Sequence, residues 1–173
     1  MILLSIDIKL KQELQAFIDE NFIEDLQEKI HFEEPKKLFH PLAAGAILFP
    51  KELIDHVLDS KKPNFSKTLM NFIDERGLKD SDVYNKAGIS RQLFSKIRIH
   101  EDYKPTKPTV LLFALAMELD LDDTQKLLAS AGFTLSHSSK QDIIIEFLIS
   151  KGIHNIFDVN DILYEFGQPT LGT

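Results

Sequence analysis

The chain of 173 residues carries 27 acidic and 20 basic side chains, a formal net charge of −7, and 43% of its residues are hydrophobic. This composition is typical of a folded globular protein and argues against wholesale disorder. Cysteine is absent, which excludes a disulfide framework, thiolate catalysis and cysteine-ligated zinc.

The charge is unevenly distributed along the chain. Residues 1–60 hold 6 basic and 12 acidic side chains, residues 61–108 hold 11 and 6, and residues 109–173 hold 3 and 9. The three segments therefore carry −6, +5 and −6, which sum to the net charge of −7. Because a concentrated charge indicates partners better than the total does, the middle segment is where a polyanion is expected to bind.

The amino-terminal third predicts acidic helical structure. Its apolar start is too short for a signal peptide and no later run is long enough to span a bilayer, so we expect a soluble, cytoplasmic protein. Apolar residues at helical spacing predict a helix over 8–30, and Pro50 can begin another that runs through Leu58. The polar, proline-containing stretch 60–64 marks a boundary, and residues 1–61 form an acidic N-terminal segment.

From residue 64 onward, glycines divide the chain into short predicted helices. The first ends at Gly77, and the second begins near Asp80 and ends at Gly88. Ser90 can cap the third, which should run to residue 99 with its apolar side chains facing inward. A short turn containing glycine between two helices is typical of a helix-turn-helix.

Two more helices complete this predicted core. Pro108 can open the fourth helix, and Asp122 and Gln125 form a plausible capping pair for the fifth, which Gly132 closes. We place the core at residues 62–133.

The remaining residues, 134–173, predict a helical extension packed on the core. Ser139 and Asp142 resemble a helix start, Gly152 ends that helix, and Asp158 can cap a last short one. Since no segment alternates polar and apolar residues convincingly, the fold class predicted for the chain is all-α.

The predicted third helix lies within the stretch GISRQLFSKIR, which contains three basic side chains and no acidic one. Arginine or lysine can donate two hydrogen bonds to guanine, and glutamine can pair twice with adenine, in a major groove that admits one helix. Lysines on either side of the unit can neutralise phosphates. These residue types favour contact with double-stranded DNA.

The stretch SDVYNKAGISRQLFSKIR, a proline-containing loop and then VLLFALAMELDLDDTQKLLASAG make up most of the region 65–132. This region resembles the phage-repressor-like (Xre-type) helix-turn-helix family, most specifically through ALAMELDLDDTQKLL. The resemblance implies a five-helix, lambda-repressor-like fold that binds DNA to regulate transcription. The stretch that follows, from FTLSHSSKQ onward, resembles the tails of small uncharacterised bacterial proteins with this core, which implies no activity.

The resemblance also implies which side chains contact DNA. Arg91, Gln92 and Lys96 correspond to the family's usual base readers, and Ser95 and Arg98 lie close by. The expected base contacts are Arg91, Gln92, Ser95 and Lys96. The expected phosphate contacts are Lys79, Arg98, Lys104 and Lys107. A homodimer is expected as well, because paired half-sites usually call for one.

The competing prediction is a protein-interaction module, or adaptor, that keeps the repressor-like fold without specific DNA binding. Tyr84 stands where the family often has a small residue. Asp80 stands where it often has a glutamine that reaches a phosphate, and a carboxylate would repel that phosphate. In this case residues 1–60 would bind a protein partner and the basic helix would be a solvated surface.

The sequence contains no recognisable catalytic or metal-binding pattern. The six histidines do not include two at the i, i+4 spacing of a helical metal site, and no phosphate-loop glycine cluster occurs. We therefore predict no enzymatic activity, no cofactor and no metal.

Overall fold

The computed structural model describes residues 8–23 and 64–172, and these ranges form eight α-helices and no strand. The all-α prediction is confirmed for this part of the chain. The helices, in chain order, are α1 (Ile8–Asn21), α2 (Phe65–Glu75), α3 (Asp80–Lys86), α4 (Arg91–Ile99), α5 (Lys107–Ala116), α6 (Leu121–Ser130), α7 (Lys140–Ser150) and α8 (Ile156–Glu165).

The helix predicted over 8–30 is shorter than expected. It ends at Asn21, whose side-chain amide donates to the carbonyl of Phe17 at 2.9 Å. The second half of that prediction and the helix expected after Pro50 lie outside the described residues.

The centre of the fold is α5, a helix that is apolar on every side. All residues from Val110 to Met117 are buried, as expected for a helix without a polar face. It contacts α3, α6 and α8, while α2 packs against α4 and α6. The short helices α3 and α4 are therefore mounted on a scaffold whose interior is α5.

A second apolar helix, α7, joins the N-terminal helix to the rest. It buries Ile143, Ile144, Phe147 and Leu148 and contacts α1, α6 and α8. The ring of Phe17 on α1 lies 5.3 Å from that of Phe147, so the acidic N-terminal helix packs through an aromatic pair.

Two predicted helix caps are confirmed and two are wrong. The hydroxyls of Ser90 and Ser139 each accept a hydrogen bond from the backbone N–H three residues on, as a cap should. Helix α6, however, is capped by Asp120 rather than Asp122, and α8 by Asn155 rather than Asp158. Asp120 and Asn155 have the extended backbone that a cap requires, whereas the predicted residues already lie inside the first helical turn.

Five helices end on a glycine in the left-handed region, and α5 ends on a residue with a side chain. Glu118 has a φ of +52° and is the one described residue other than glycine with a positive φ. Its N–H donates to the carbonyl of Leu115, and the next N–H donates to that of Ala114, each at 3.0 Å. This is the same closure that the glycines make, formed here against the steric preference of an L-residue.

Candidate nucleic-acid interface

The turn between α3 and α4 is fixed by backbone hydrogen bonds around Gly88. The N–H of Gly88 donates to the backbone carbonyl of Asn85 at 3.1 Å, and the N–H of Ile89 donates to that of Tyr84 at 2.8 Å. Gly88 takes a φ of +65°, which a residue without a Cβ adopts at little cost. The cap of α4 follows at once, since the Ser90 hydroxyl accepts from the N–H of Leu93 at 3.2 Å.

The inner face of α4 is anchored through aromatic contacts. Phe94 and Ile97 are buried, and the Phe94 ring lies 6.1 Å from that of Phe113 in α5. Tyr84 of α3 is half-buried with its ring 5.5 Å from Phe94, at a tilt of 48°. A tyrosine is thus accommodated where the two helices meet, and α4 cannot rotate without breaking this packing.

The outer face of α4 carries the four predicted base readers. At about 100° per residue, they fall within roughly 140° of the helix circumference. Ile99, 71% exposed, lies within the same arc one turn farther on. The helix has no acidic residue of its own. The exposed residues of this face, called the α4 face below, are Arg91, Gln92, Ser95, Lys96 and Ile99.

Lys96 is oriented by an aromatic ring from the following loop. Its ammonium lies 5.7 Å from the ring centroid of Tyr103. The N–H of Tyr103 donates to the carbonyl of His100 at 3.0 Å, and the Ser66 hydroxyl of α2 donates to the same carbonyl at 3.1 Å. The loop that follows α4 is therefore tied to the core, and one end of the α4 face is held by it.

Arg98, predicted to contact phosphate, is paired within the protein. Its guanidinium donates to the carboxylate of Asp80 at the start of α3, and both side chains keep considerable exposure, 55% and 36%. The carboxylate that was expected to repel a phosphate therefore binds the neighbouring arginine instead. An exposed pair of this kind is weak enough to exchange for another partner.

Lys107 has a structural role that the sequence did not indicate. Its ammonium pairs with the carboxylate of Asp142 in α7, whose side chain is only 3% exposed. That carboxylate also accepts from the backbone N–H of Ser136 at 2.9 Å. Lys107 is thus engaged inside the fold, and we remove it from the set of phosphate contacts. The other two predicted lysines, Lys79 and Lys104, are exposed.

Sequence reasoning missed two contacts made by cations of α4, that of Arg98 with Asp80 and that of Lys96 with Tyr103. Asp80 and Arg98 are 18 residues apart, and Lys96 reaches its ring across a loop. Neither contact follows a helical i, i+4 spacing, so no local pattern reveals it.

Shifted pKa values occur in ion pairs away from α4. Hydrogen bonds from Lys126 and Arg76 lower the pKa of Asp123 below its ordinary value of 3.8. A hydrogen bond from Lys86 likewise lowers the pKa of Glu118 below 4.5.

Within residues 8–23 and 64–172, no cluster of three or more histidine, aspartate or glutamate side chains could hold a metal ion. Over the same ranges, no helix is both long and apolar enough to cross a membrane.

Comparison with family models, with curated proteins and with solved structures found no match to this chain.

Proposed function

We propose that the chain is a DNA-binding transcriptional regulator of the helix-turn-helix type. In this proposal α2–α6 form the five-helix, repressor-like core and α4 is the recognition helix. The observation that carries it is the α4 face: an exposed, acid-free surface on a helix whose opposite side is locked into the core.

Each group on the α4 face has a chemical counterpart in the major groove. The Arg91 guanidinium can donate twice to guanine, Gln92 can pair with adenine, and Ser95 can bond to either. Lys96, held beside Tyr103, supplies a further donor at the other edge. The exposed Ile99 can meet the methyl group of a thymine.

The phosphate contacts supply affinity. Lys79 and Lys104 are exposed on either side of the unit and can each neutralise a phosphate. Arg98 joins them when it exchanges the Asp80 carboxylate for a phosphate oxygen, which also removes the repulsion that this carboxylate would otherwise meet. The overall acidic charge disfavours binding elsewhere on the surface and so directs DNA to α4.

The proposal includes a cytoplasmic homodimer, because a single helix reads too few base pairs to select an operator and two-fold proteins read paired half-sites. Selection of bound sequences from random DNA should return an inverted repeat with half-sites about one or two helical turns apart. A motif without such symmetry would remove the dimer from the proposal while leaving DNA binding.

The decisive test is the double variant Arg91→Ala/Lys96→Ala in an electrophoretic shift on the selected DNA. Each lost base contact is worth about 1–3 kcal/mol, so affinity should fall at least roughly 30-fold. Lys67→Ala/Lys126→Ala changes the charge equally at exposed positions outside α4 and serves as the matched control. If both double variants bind equally well, α4 is not the reading helix.

One observation favours the second candidate, a protein-interaction module without DNA binding. The Asp80 carboxylate neutralises Arg98, the cation nearest the end of α4, and two further acids, Glu101 and Asp102, follow on the loop. In that case residues 1–60 bind the protein partner. A DNA binder shifts DNA at low salt and loses affinity steeply as salt rises, whereas the interaction module gives no shift at either concentration.

A further inference from the structure

Helix α8 exposes two aromatic side chains on the side away from the core. Phe157 is 81% exposed and Tyr164 is 79% exposed. They are seven residues apart, two helical turns or about 10 Å along the axis. The buried residues of the helix, Val159, Ile162 and Leu163, occupy the opposite side.

The two rings together present roughly 300 Å² of aromatic surface. Exposed patches of this size on a single chain often mark a site of interaction.

The charged side chains of α8 itself are all acidic. Asp161 is exposed and lies on the same side of α8, between the two rings. Asp158 and Glu165 lie along one side of these rings, and Glu165 is paired with Lys11 of α1. After Lys151 the sequence contains no further lysine or arginine. The surface formed by Phe157, Asp161 and Tyr164, called the α8 stripe, is therefore aromatic and acidic.

We propose that the α8 stripe docks into an apolar groove of a partner protein whose rim carries lysine or arginine. Anchors at positions i, i+4 and i+7 of one helix are the pattern by which helices bind grooves. Aromatic side chains are the residues that most often dominate such interfaces. A cation on the groove rim would meet Asp161 between the two rings, which fixes the register of the helix. This proposal does not depend on DNA binding.

A second copy of the chain fits the α8 stripe poorly. Pairing two α8 helices antiparallel would set Phe157 against Tyr164 of the other copy, but it would also bring the two Asp161 carboxylates together in a dehydrated seam. An anionic membrane surface would likewise be repelled by the acids. An apolar groove with a basic rim can bury the rings of Phe157 and Tyr164 and pair with the carboxylate of Asp161.

The partner can be captured by a photocrosslinker placed in the stripe. The full chain, expressed in its own cells, carries p-benzoylphenylalanine at position 157, at 164, or at the exposed position of Asn71 on α2 as a control. Positions 157 and 164 should yield adducts with the same polypeptide, and the control should not. Capture of no polypeptide, or of a second copy of this chain, overturns the proposal.

Binding of the purified partner then tests the chemistry. Phe157→Ala should weaken the Kd roughly 30-fold, as expected for a dominant aromatic anchor. Asp161→Lys should weaken it at least about tenfold, whereas Glu20→Lys, the same charge change at an exposed site on α1, should leave it within about twofold.

A reciprocal change completes the test. Glutamate substituted for the basic rim residue of the partner should restore binding to the Asp161→Lys variant. Thermal unfolding of each variant should match the wild type, because the substituted side chains are exposed. Wild-type binding by Asp161→Lys, or equal losses in Asp161→Lys and Glu20→Lys, contradicts the proposal.

Discussion

Replacement of Lys107 by methionine should destabilise the protein, although the substitution removes a single charge. The carboxylate of Asp142 would remain buried, with a side-chain exposure of 3%. The hydrogen bond from the N–H of Ser136 would remain, but the opposite charge would be gone. Removing one partner of a buried pair costs about 3–5 kcal/mol. Because the Lys107 side chain is 24% exposed, water can partly reach the carboxylate, and we expect about 2–3 kcal/mol.

Chemical denaturation followed by circular dichroism measures this loss of unfolding free energy, and thermal denaturation measures the accompanying change in Tm. For a chain of this size, about 2–4 °C of Tm accompanies each kcal/mol, so the Tm should fall by roughly 4–12 °C. Lys67→Met, a change of the same kind at an exposed position of α2, should cost less than about 0.5 kcal/mol. The double variant Lys107→Met/Asp142→Asn should be more stable than Lys107→Met alone, since no unpaired charge is left.

The same variant distinguishes the two roles considered for Lys107. A residue that neutralises one phosphate changes the slope of log K against log salt by about 0.9, whereas a residue bound to Asp142 leaves that slope unchanged. Loss of DNA affinity with unaltered stability would refute the structural role. Equal stability of the Lys107 and Lys67 variants would refute it as well.

Three further predictions concern stability. In urea denaturation, Glu118→Gly should be more stable than Glu118→Ala by about 1 kcal/mol. Both variants lose the carboxylate, but only the alanine variant keeps a Cβ at positive φ. Equal free energies of unfolding would show that the backbone there is unstrained. The buried hydroxyl of Thr124 has no hydrogen-bond partner among residues 8–23 and 64–172, so Thr124→Val should raise the free energy of unfolding by about 1 kcal/mol. Thr124→Ser, which keeps the hydroxyl, should not. The lowered pKa of Asp123, caused by Lys126 and Arg76, means that its contribution is complete above pH 3.8 and is lost as the pH falls through the lower folded value. Asp123→Asn should therefore cost at most about 1 kcal/mol at pH 7, and the difference from wild type should vanish in acid; a difference that persists at low pH would assign it to packing instead.

Much of the fold follows from local signals in the sequence. The stop at Gly88 and the cap at Ser90 depend only on residues within one turn, so the sequence located both. The order of short helices followed from the same signals. The predicted caps of α6 and α8 were wrong because DLDD and NIFD each offer more than one capping side chain. Only the backbone angle at Asp120 or Asn155 decides among them.

The candidate site was harder to predict because its side chains interact across the fold. The α4 face could be read from helical periodicity, since the apolar residues fix which side of the helix remains. The partner of Arg98 lies 18 residues away, and that of Lys107 lies 35 residues away. Whether a cation faces solvent or a carboxylate depends on how helices pack, which the charge of a segment does not reveal.

The contrast between the buried helix α5 and the exposed outer sides of α4 and α8 has an evolutionary consequence. Every residue from Val110 to Met117 is buried, whereas the outward side chains of α4 and α8 contact little of the core. Substitutions on those outer sides alter stability by no more than about 0.5 kcal/mol each. The chain can therefore acquire a new binding specificity on either short helix by successive single mutations, each of which leaves the folded state populated.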